Sequence, residues 1–203
     1  MYNLKKEDIT TAVNCLKSAF KEDPLHIKLG KGDDNLDASL TGFYATPLLI
    51  GLKYGKVCAD SSEIHGVASW VNGKYADVNL WQMIFSGALS YGLKMSKSFV
   101  DNISYCFKNL KKDRKLHMKG KNYIYLSIIG VDELHQGKGY GSQLLNLIIK
   151  ESNANGTPIY LETETENNVA FYEKHGFRVL KKEYLEKLDL PMWEMEYFPK
   201  TDK

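Results

Sequence analysis

The sequence predicts one domain of the α/β or α+β class. Strand-like apolar runs alternate with helix-like segments in its second half, a purely helical pattern fills its middle, and a hairpin pattern precedes that middle. The chain has 203 residues, of which 43% are hydrophobic, and this is enough to bury a substantial core. We therefore expect a single domain over residues 1–203.

The first 71 residues predict helices followed by a β-hairpin. Apolar residues recur at helical spacing from Asp8 to Asp23, and Pro24 is expected to end that helix. A second helical stretch runs from Leu36 to Tyr54 and contains Pro47. The hairpin consists of two strand candidates, Lys56 to Asp60 and Ile64 to Val71, joined by a turn-rich segment.

Residues 72–121 predict a helical insertion, because apolar residues recur there at helical spacing without strand-like alternation. Its longest apolar segment, Leu80 to Leu93, is shorter than the ~20 residues that cross a bilayer. We expect this segment to be a buried helix, and its apolar face would also permit a homodimer interface. The basic run from Lys108 to Lys121 predicts a solvated helix face and loop.

Residues 122–203 show a regular alternation of strands and helices. Strand Tyr123 to Val131 precedes a glycine-rich loop, and the helix Tyr140 to Ser152 has an apolar face. This alternation is the main reason for predicting an α/β or α+β core. The other predicted elements are strand Ile159 to Thr163, helix Asn168 to His175, and strands Phe177 to Tyr184 and Met192 to Tyr197.

Charge and cysteine usage set the expectations for partners and compartment. The formal net charge of +2 is too small to indicate a nucleic-acid or membrane partner. Cys15, Cys58 and Cys106 are odd in number and far apart, which favours reduced thiols in a cytoplasmic compartment. The first residues lack the apolar core of a secretory signal. No metal is expected, because the sequence contains neither a Cys-x-x-Cys pair nor His-Glu-x-x-His.

The segment from Gln136 to Ser142 predicts an anion-binding loop. Gly137, Gly139 and Gly141 lie at the start of a predicted helix. Glycines let the backbone approach a ligand closely, and the N–H groups of the first helical turn point at that ligand with the positive end of the helix dipole behind them. We expect a pyrophosphate to bind there.

Two familiar phosphate-binding patterns fit this loop poorly. The triphosphate loop places a lysine after its last glycine, whereas Ser142 follows the last glycine here. The dinucleotide fingerprint lacks its third glycine, and five residues separate Val131 from Gly137 where such a site needs glycine almost directly after the strand. Only the spacing to Glu162 and Glu164, near the expected ribose-binding distance, favours the dinucleotide interpretation.

A third pattern, Gln/Arg-x-x-Gly-x-Gly/Ala, is satisfied by Gln136, Gly139 and Gly141, and here the chain resembles the GNAT superfamily of acyl-coenzyme A (CoA) N-acyltransferases. The run Asn168-Val169-Ala170-Phe171-Tyr172-Glu173-Lys174-His175-Gly176-Phe177 is similar to that family's Asn...Tyr-x-x-x-Gly-Phe signature. The ordered strand, loop, helix, strand and tyrosine helix are more specific than any glycine triplet. Tyr160-Leu161-Glu162-Thr163, with the nearby Asn168 and Phe171-Tyr172 and the later Trp193, resembles the puromycin-acetyltransferase-like subgroup.

The resemblance implies a GNAT-like mixed fold with an acetyl-CoA site. The fold would be a central twisted sheet of about six to seven strands flanked by helices, with the helical insertion before the fourth strand. Ile129, Gly130 and Val131 would present the edge of that fourth strand to the pantetheine arm. The loop would hold the pyrophosphate through the implied cofactor-binding residues Gln136, Gly137, Lys138, Gly139, Tyr140, Gly141 and Ser142.

The resemblance also implies direct attack of a neutral amine on the acyl thioester. Tyr172 would contact the coenzyme and serve as the acid that protonates the departing thiolate. Asn168 is the favoured coenzyme-binding asparagine, although the family pattern also fits Asn167. The resemblance does not assign the general base, because the inward positions of the fourth strand carry Tyr125 and Ser127, which are poor bases. The candidates are Glu162 on the fifth strand, which we prefer, and His65 on the hairpin.

The implied function is an N-acetyltransferase that moves an acetyl group from acetyl-CoA to a primary amine of a small molecule or peptide. The alternative is a noncatalytic acyl-CoA-binding regulatory protein, because the fourth strand lacks an acidic base. The sequence does not identify the acceptor, since acceptor specificity lies in variable loops and helices.

Overall fold

The fold is a seven-stranded mixed sheet with helices on both faces, and the computed structural model describes residues 1–200. The strands are β1 (Tyr2–Asn3), β2 (Gly55–Ala59), β3 (Gly66–Asn72), β4 (Ile124–Val131), β5 (Ile159–Thr163), β6 (Phe177–Leu185) and β7 (Leu190–Tyr197). The helices are α1 (Ile9–Ala19), α2 (Pro24–Leu29), α3 (Leu36–Tyr54), α4 (Leu80–Ser86), α5 (Leu89–Gly92), α6 (Lys97–His117), α7 (Tyr140–Asn155) and α8 (Glu166–Lys174). The strand order β1-β2-β3-β4-β5-β7-β6 confirms the predicted mixed sheet.

The sheet divides between its two central strands, β4 and β5. They run parallel but pair only at Ile124 with Ile159 and at Tyr125 with Tyr160. On its other side β4 pairs with β3 along its whole length, with a register shift that leaves Ser127 as an extra residue. Such a β-bulge bends a strand and increases its twist. Beyond Tyr125 the edge of β4 therefore has no strand partner on the β5 side.

Two apolar clusters cover the opposite faces of the sheet. Successive residues of a strand point to opposite faces, and Val57 of β2 and Val67 of β3 accordingly belong to the cluster formed with α1, α3 and α6. Their neighbours Cys58 and Ala68 belong to the cluster formed with α7 and α8. Helices on both faces hold the divided central strands in place.

The first helix ends earlier than the sequence predicts, and Pro24 begins a helix instead of ending one. The helix α1 stops at Ala19, and α2 starts with Pro24 at its first position, where proline lacks only an N–H that has no helical acceptor. The Asp23 carboxylate caps α2 by accepting from the backbone N–H groups of Leu25 and His26 at 2.8 and 3.3 Å. This cap fixes Asp23 beside the open edge of β4.

The prediction of a buried helix from Leu80 to Leu93 is wrong. The segment forms two short helices, because Gly87 takes a left-handed φ of +85° and ends α4. The exposed fractions of Trp81 and Phe85 are 67% and 63%, and that of Leu93 is 77%. The apolar pattern here marks an uncovered surface of α4 and α5, not a core element.

The three cysteines, Cys15, Cys58 and Cys106, are buried free thiols. Within residues 1–200, none of the helices combines the length and the apolar character needed to span a bilayer.

Candidate active site

A cavity of about 580 Å³ lies where β4 and β5 separate. One wall is the unpaired stretch of β4, which includes the predicted edge residues Ile129, Gly130 and Val131. The other wall is the end of β5 together with the first turns of α8, and residues of α6 and of the segment between α1 and α2 complete the lining. The strand bulge and the short β4–β5 pairing thus create an opening that reaches Gln136 and Gly141 of the glycine loop.

The glycine loop offers a row of backbone donors at one end of this cavity. Gly137 and Gly139 have φ values of +75° and +88°, which L side chains rarely adopt, and nothing lies within 4 Å of a Cβ placed on either. Among the described residues, the N–H groups from Gly137 to Ser142 donate to no protein acceptor, and the first helical bond runs from Gln143 N–H to the Gly139 carbonyl at 3.0 Å. Unpaired N–H groups at the N-terminus of a 16-residue helix form an anion site.

Gln136 anchors this loop. Its side-chain Nε2 donates to the Val131 carbonyl at 3.1 Å and to the Ala19 carbonyl at 3.4 Å. These bonds join the end of β4, the end of α1 and the beginning of the loop. The side-chain amide of Gln136 therefore positions the start of the loop. The backbone N–H groups of the residues that follow it have no protein acceptor. Lys138 is exposed on the same loop.

Tyr172 of α8 lines the cavity and is buried, with an exposed fraction of 8%. Its ring packs against Phe171 and Phe177 at centroid distances of 5.3 and 5.4 Å. Burial, with the nearby Glu164 carboxylate, raises the pKa of its hydroxyl above the ordinary value of tyrosine. The phenol therefore keeps its proton at neutral pH and is available as a proton donor.

Asn167 and Asn168 both line the cavity at the start of α8. The Asn168 Nδ2 donates to Glu164 Oε1 at 3.2 Å, and its backbone N–H donates to the capping hydroxyl of Thr165 at 3.1 Å. Asn167 is exposed. Glu164 thus holds the side chain of Asn168, whereas the side chain of Asn167 is more accessible.

Glu162 lies in the cavity wall, but a buried arginine holds its carboxylate. Arg114 Nη1 donates to Glu162 Oε1 at 2.6 Å, and Nη2 of the same guanidinium donates to Asp77 Oδ1 at 2.7 Å. The guanidinium also lies over the ring of Tyr125 at 4.6 Å. Burial raises the pKa of Glu162, and the adjacent Arg114 opposes that shift by favouring the charged form. A carboxylate in this position anchors α6 through Arg114, and the assignment of Glu162 as the base stays a prediction.

His65 lies outside the cavity. Its ring stacks on His135 with centroids 4.0 Å apart, and its Nδ1 lies 3.2 Å from Asp60 Oδ2. This arrangement joins the start of β3 to the connection after β4, so His65 has a structural partner on each side. Among residues 1–200, no group of three or more histidine, cysteine, aspartate or glutamate side chains is arranged to hold a metal ion.

Comparison with known proteins shows what the segment around this loop is similar to. Residues 109–179 match the family profile of the acetyltransferase (GNAT) domain. Over this segment, about a third of the chain, the protein is similar to a GNAT acetyltransferase domain. The matched segment runs from the last turns of α6 through β4, the glycine loop, α7, β5 and α8 to the start of β6, and it contains both walls of the cavity.

Similar proteins extend the likeness to nearly the whole chain. An uncharacterised N-acetyltransferase of Schizosaccharomyces pombe is 25% identical over 189 residues, which cover 90% of this chain and 75% of that protein. A histone acetyltransferase HPA2 and related acetyltransferase from Corynebacterium glutamicum has a similar structure, with a TM-score of 0.64, 21% identity and coverage of 99% and 96% of the two chains. A putative arylalkylamine N-acetyltransferase of the yellow fever mosquito has a TM-score of 0.65 at 13% identity, with coverage of 97% of this chain and 85% of its own. The two solved structures show a shared fold, and the family profile and the yeast relative show that the chain is similar to N-acetyltransferases.

Sequence reasoning missed two carboxyl groups, Asp23 and Glu164, which line the same cavity. The sequence places Asp23 only at the end of a predicted helix. Glu164 directly follows the last residue of β5 and lies two positions after Glu162; a strand period continued by one residue would place both on one side, and this spacing is the available signal. Burial and the adjacent Asp23 carboxyl raise the pKa of Glu164 well above its ordinary value.

Proposed function

We propose that the protein transfers an acetyl group from acetyl-CoA to the primary amine of a small molecule or peptide. The observation that carries this proposal is the continuity between an unpaired strand edge and a row of free N–H groups at the start of α7. A thioester donor with a pyrophosphate needs both features, because its extended arm binds a strand edge and its phosphates bind a helix N-terminus.

The donor would bind in two parts. Backbone groups of Ile129, Gly130 and Val131 would bond to the amides of the pantetheine arm, as an added strand does. The N–H groups from Gly137 to Ser142 would bind the pyrophosphate, with the exposed Lys138 adding positive charge. The asparagines at the start of α8 would approach the arm from the opposite wall.

The chemistry would be a direct transfer. The amine nitrogen attacks the thioester carbon, a backbone N–H of β4 stabilises the oxyanion, and collapse of the tetrahedral intermediate breaks the carbon–sulfur bond. The thiolate takes the proton of the Tyr172 hydroxyl, and the phenolate then recovers a proton from the nitrogen side of the reaction. The raised pKa of the buried phenol means that it enters the step protonated.

The similar structures agree with an amine acceptor but do not choose one. One is named for histone acetylation and another for arylalkylamines. The acceptors in these two names differ widely, since one is a protein and the other is a small aromatic amine. At these identities the likeness shows the fold alone. The puromycin-acetyltransferase-like assignment, which rests on the segment from Tyr160 to Thr163 and on Trp193, is likewise a proposal about subgroup.

The test measures thiol release from acetyl-CoA with a panel of amines, for the wild type and for Tyr172→Phe. We expect Tyr172→Phe to lower kcat about 100-fold, since loss of a positioned acid typically costs 10²- to 10⁴-fold, with little change in the KM for acetyl-CoA. Tyr197→Phe is the matched control, because Tyr197 is a buried phenol of the same apolar cluster whose hydroxyl bonds to Asn153 outside the cavity. Equal turnover by the wild type and Tyr172→Phe would remove Tyr172 from catalysis.

The second candidate is a noncatalytic acyl-CoA-binding regulator. The pairing of Glu162 with Arg114 favours it, because this pairing removes the preferred base from direct use. Tight binding of acetyl-CoA without transfer to any amine of the panel would support this candidate over the enzyme.

A homodimer formed through α4 is also a proposal. Leu80, Trp81 and Phe85 expose 60%, 67% and 63% of their surface on one short helix, and apolar residues clustered in this way commonly mark an interface. Light scattering at several concentrations would detect the dimer. Trp81→Glu should then shift the molecular mass to that of the monomer, whereas a wild type that is monomeric throughout would refute it.

A further inference from the structure

The cavity wall is rich in carboxyl groups. Four carboxyl-bearing residues line it, namely Glu22, Asp23, Glu162 and Glu164, and within the described part of the chain no lysine or arginine does so. Arg114, which does not line the cavity, balances the charge of Glu162 by donating to its carboxylate. Asp23 and Glu164 have no cationic side chain within ion-pairing distance among these residues.

In both Asp23 and Glu164, hydrogen bonds to one carboxyl oxygen orient the side chain. Asp23 Oδ1 accepts from the N–H groups of Leu25 and His26 at the start of α2. Glu164 Oε1 accepts from Asn168 Nδ2 at 3.2 Å. Burial and the adjacent Asp23 carboxyl group raise the pKa of Glu164 well above its ordinary value, so the pair favours retention of one proton. The pair is thus a preformed acceptor in which a cation can replace a proton.

The other groups around this pair are neutral and largely aromatic. Tyr44 stacks on Phe20 with centroids 5.7 Å apart, and its hydroxyl lies 3.0 Å from Nδ1 of His26. Burial lowers the pKa of His26 and raises that of the Cys106 thiol to about 12, so neither is charged at neutral pH. The phenol of Tyr44 also stays neutral, because burial raises its pKa. The remaining aromatic lining residues are Phe43, Phe107, Tyr125, Phe171 and Tyr172.

We infer that Asp23 and Glu164 form the recognition site for the acceptor, and that this acceptor is a small cationic primary amine attached to an apolar or aromatic body. The inference rests on the proposed acetyl transfer. A cationic head group replaces the retained proton and pairs with the two carboxylates, while the aromatic side chains pack against its body. The same pair receives the proton that the ammonium group must lose before attack.

The proton count for this role balances. The ammonium nitrogen gives one proton to the carboxylate pair, which passes it to solvent, and the neutral nitrogen then forms its bond to the thioester carbon. After attack the nitrogen loses a second proton, which replaces the one that Tyr172 donates to the departing sulfur. The overall reaction converts an ammonium ion and acetyl-CoA into an amide, CoA thiol and one released proton.

The test compares 2-phenylethylamine and a series of straight-chain alkylamines with the neutral 2-phenylethanol. Isothermal titration in buffers of different ionisation enthalpy counts the protons released when each probe binds. We expect the amines to bind with release of about one proton near neutral pH and the alcohol to bind at least about tenfold more weakly.

The variants are Asp23→Asn and Glu164→Gln, with Glu173→Gln as the matched control. Asparagine caps helices as well as aspartate does, and glutamine keeps the acceptor for Asn168, so both variants should retain the fold, which thermal unfolding checks. We expect each to raise the KM for the amine about tenfold or more and to abolish the proton release, with an unchanged KM for acetyl-CoA. Glu173→Gln, at an exposed position outside the cavity lining, should change neither.

Three results would each overturn the inference. They are equal binding of the alcohol and the amine, an unchanged KM for the amine in both variants, and failure of every cationic probe to bind. The proposed function fails separately, since acetyl-CoA binding is measured without an amine. If acetyl-CoA does not bind while the amine binds through Asp23 and Glu164, the donor assignment is wrong and the amine site stands.

Discussion

Replacement of Arg114 by methionine should destabilise the protein strongly at neutral pH. The Arg114 and Glu162 side chains expose only 3% and 5% of their surface, so Arg114→Met leaves Glu162 buried without a counter-charge. Breaking one side of such a buried pair costs about 3–5 kcal/mol. Asp77 adds little to this loss, because its side chain is 26% exposed and keeps Lys111 and Lys115 at 3.3 Å.

The pH dependence of this loss follows from Glu162. Without Arg114, burial alone acts on the carboxyl group and raises its pKa further. A carboxyl group with a raised folded-state pKa stabilises the fold less as the pH rises above its unfolded value. The loss in Arg114→Met should therefore be largest near pH 8 and smaller near pH 5.

Urea unfolding followed by tryptophan fluorescence at both pH values measures this effect. The double variant Arg114→Met with Glu162→Gln should recover about 2 kcal/mol or more at pH 8, because it removes the buried charge as well. Lys111→Met is the control, and loss of its exposed ion pair should cost about 0–1 kcal/mol. A loss below about 1 kcal/mol in Arg114→Met, or a loss independent of pH, would refute the reasoning.

Two further expectations concern Glu194 and the glycine loop. Burial raises the pKa of Glu194 from 4.5 to about 7, so wild-type stability should fall by up to about 3 kcal/mol between pH 4.5 and 7 relative to Glu194→Gln; parallel stability profiles of the two proteins would contradict this. Gly139→Ala should cost about 1–2 kcal/mol of stability through its φ of +88° and weaken acetyl-CoA binding about tenfold. Gly120→Ala, at φ +74° and with equally open surroundings, should cost the same stability and leave acetyl-CoA binding unchanged. If the two variants affect acetyl-CoA binding equally, Gly139 does not belong to the donor site.

Local patterns predicted the donor end of the site, because the features that form it lie close together in the sequence. The glycines from Gly137 to Gly141, the apolar strand before them and the helix after them are all within one short segment. The structure gives the two glycines with positive φ the open surroundings that a ligand would need. Tyr172 could be predicted for the same reason, since its helix and the following Gly176 form a compact signature, and the structure places it in the cavity wall.

The acceptor end could not be predicted in the same way, because it depends on contacts between distant segments. Asp23 reaches the cavity only because Pro24 starts a new helix there. Arg114 belongs to a run that is otherwise basic and solvated, yet it continues the buried stripe of Cys106 and Leu110 on α6. That stripe, with its spacing of four residues, was the signal that could have separated Arg114 from its neighbours.

Short-range hydrophobic patterning also failed at α4. The apolar residues from Leu80 to Phe85 have the composition of a buried helix, but Gly87 ends the helix after seven residues. Sequence periodicity reports which side chains share a face and does not report whether another element covers that face.

The central claim is that the start of α7 holds the pyrophosphate of an acetyl-CoA donor. Calorimetric titration of acetyl-CoA into the wild type, Ser142→Asp and Ser142→Asn tests this claim most directly. A carboxylate in the first turn stabilises a helix through its dipole but repels a bound pyrophosphate, so Ser142→Asp should keep or raise the melting temperature and weaken binding about 100-fold. The neutral, nearly isosteric Ser142→Asn should bind within about twofold of the wild type. Equal affinity of Ser142→Asp and the wild type for acetyl-CoA would contradict the account.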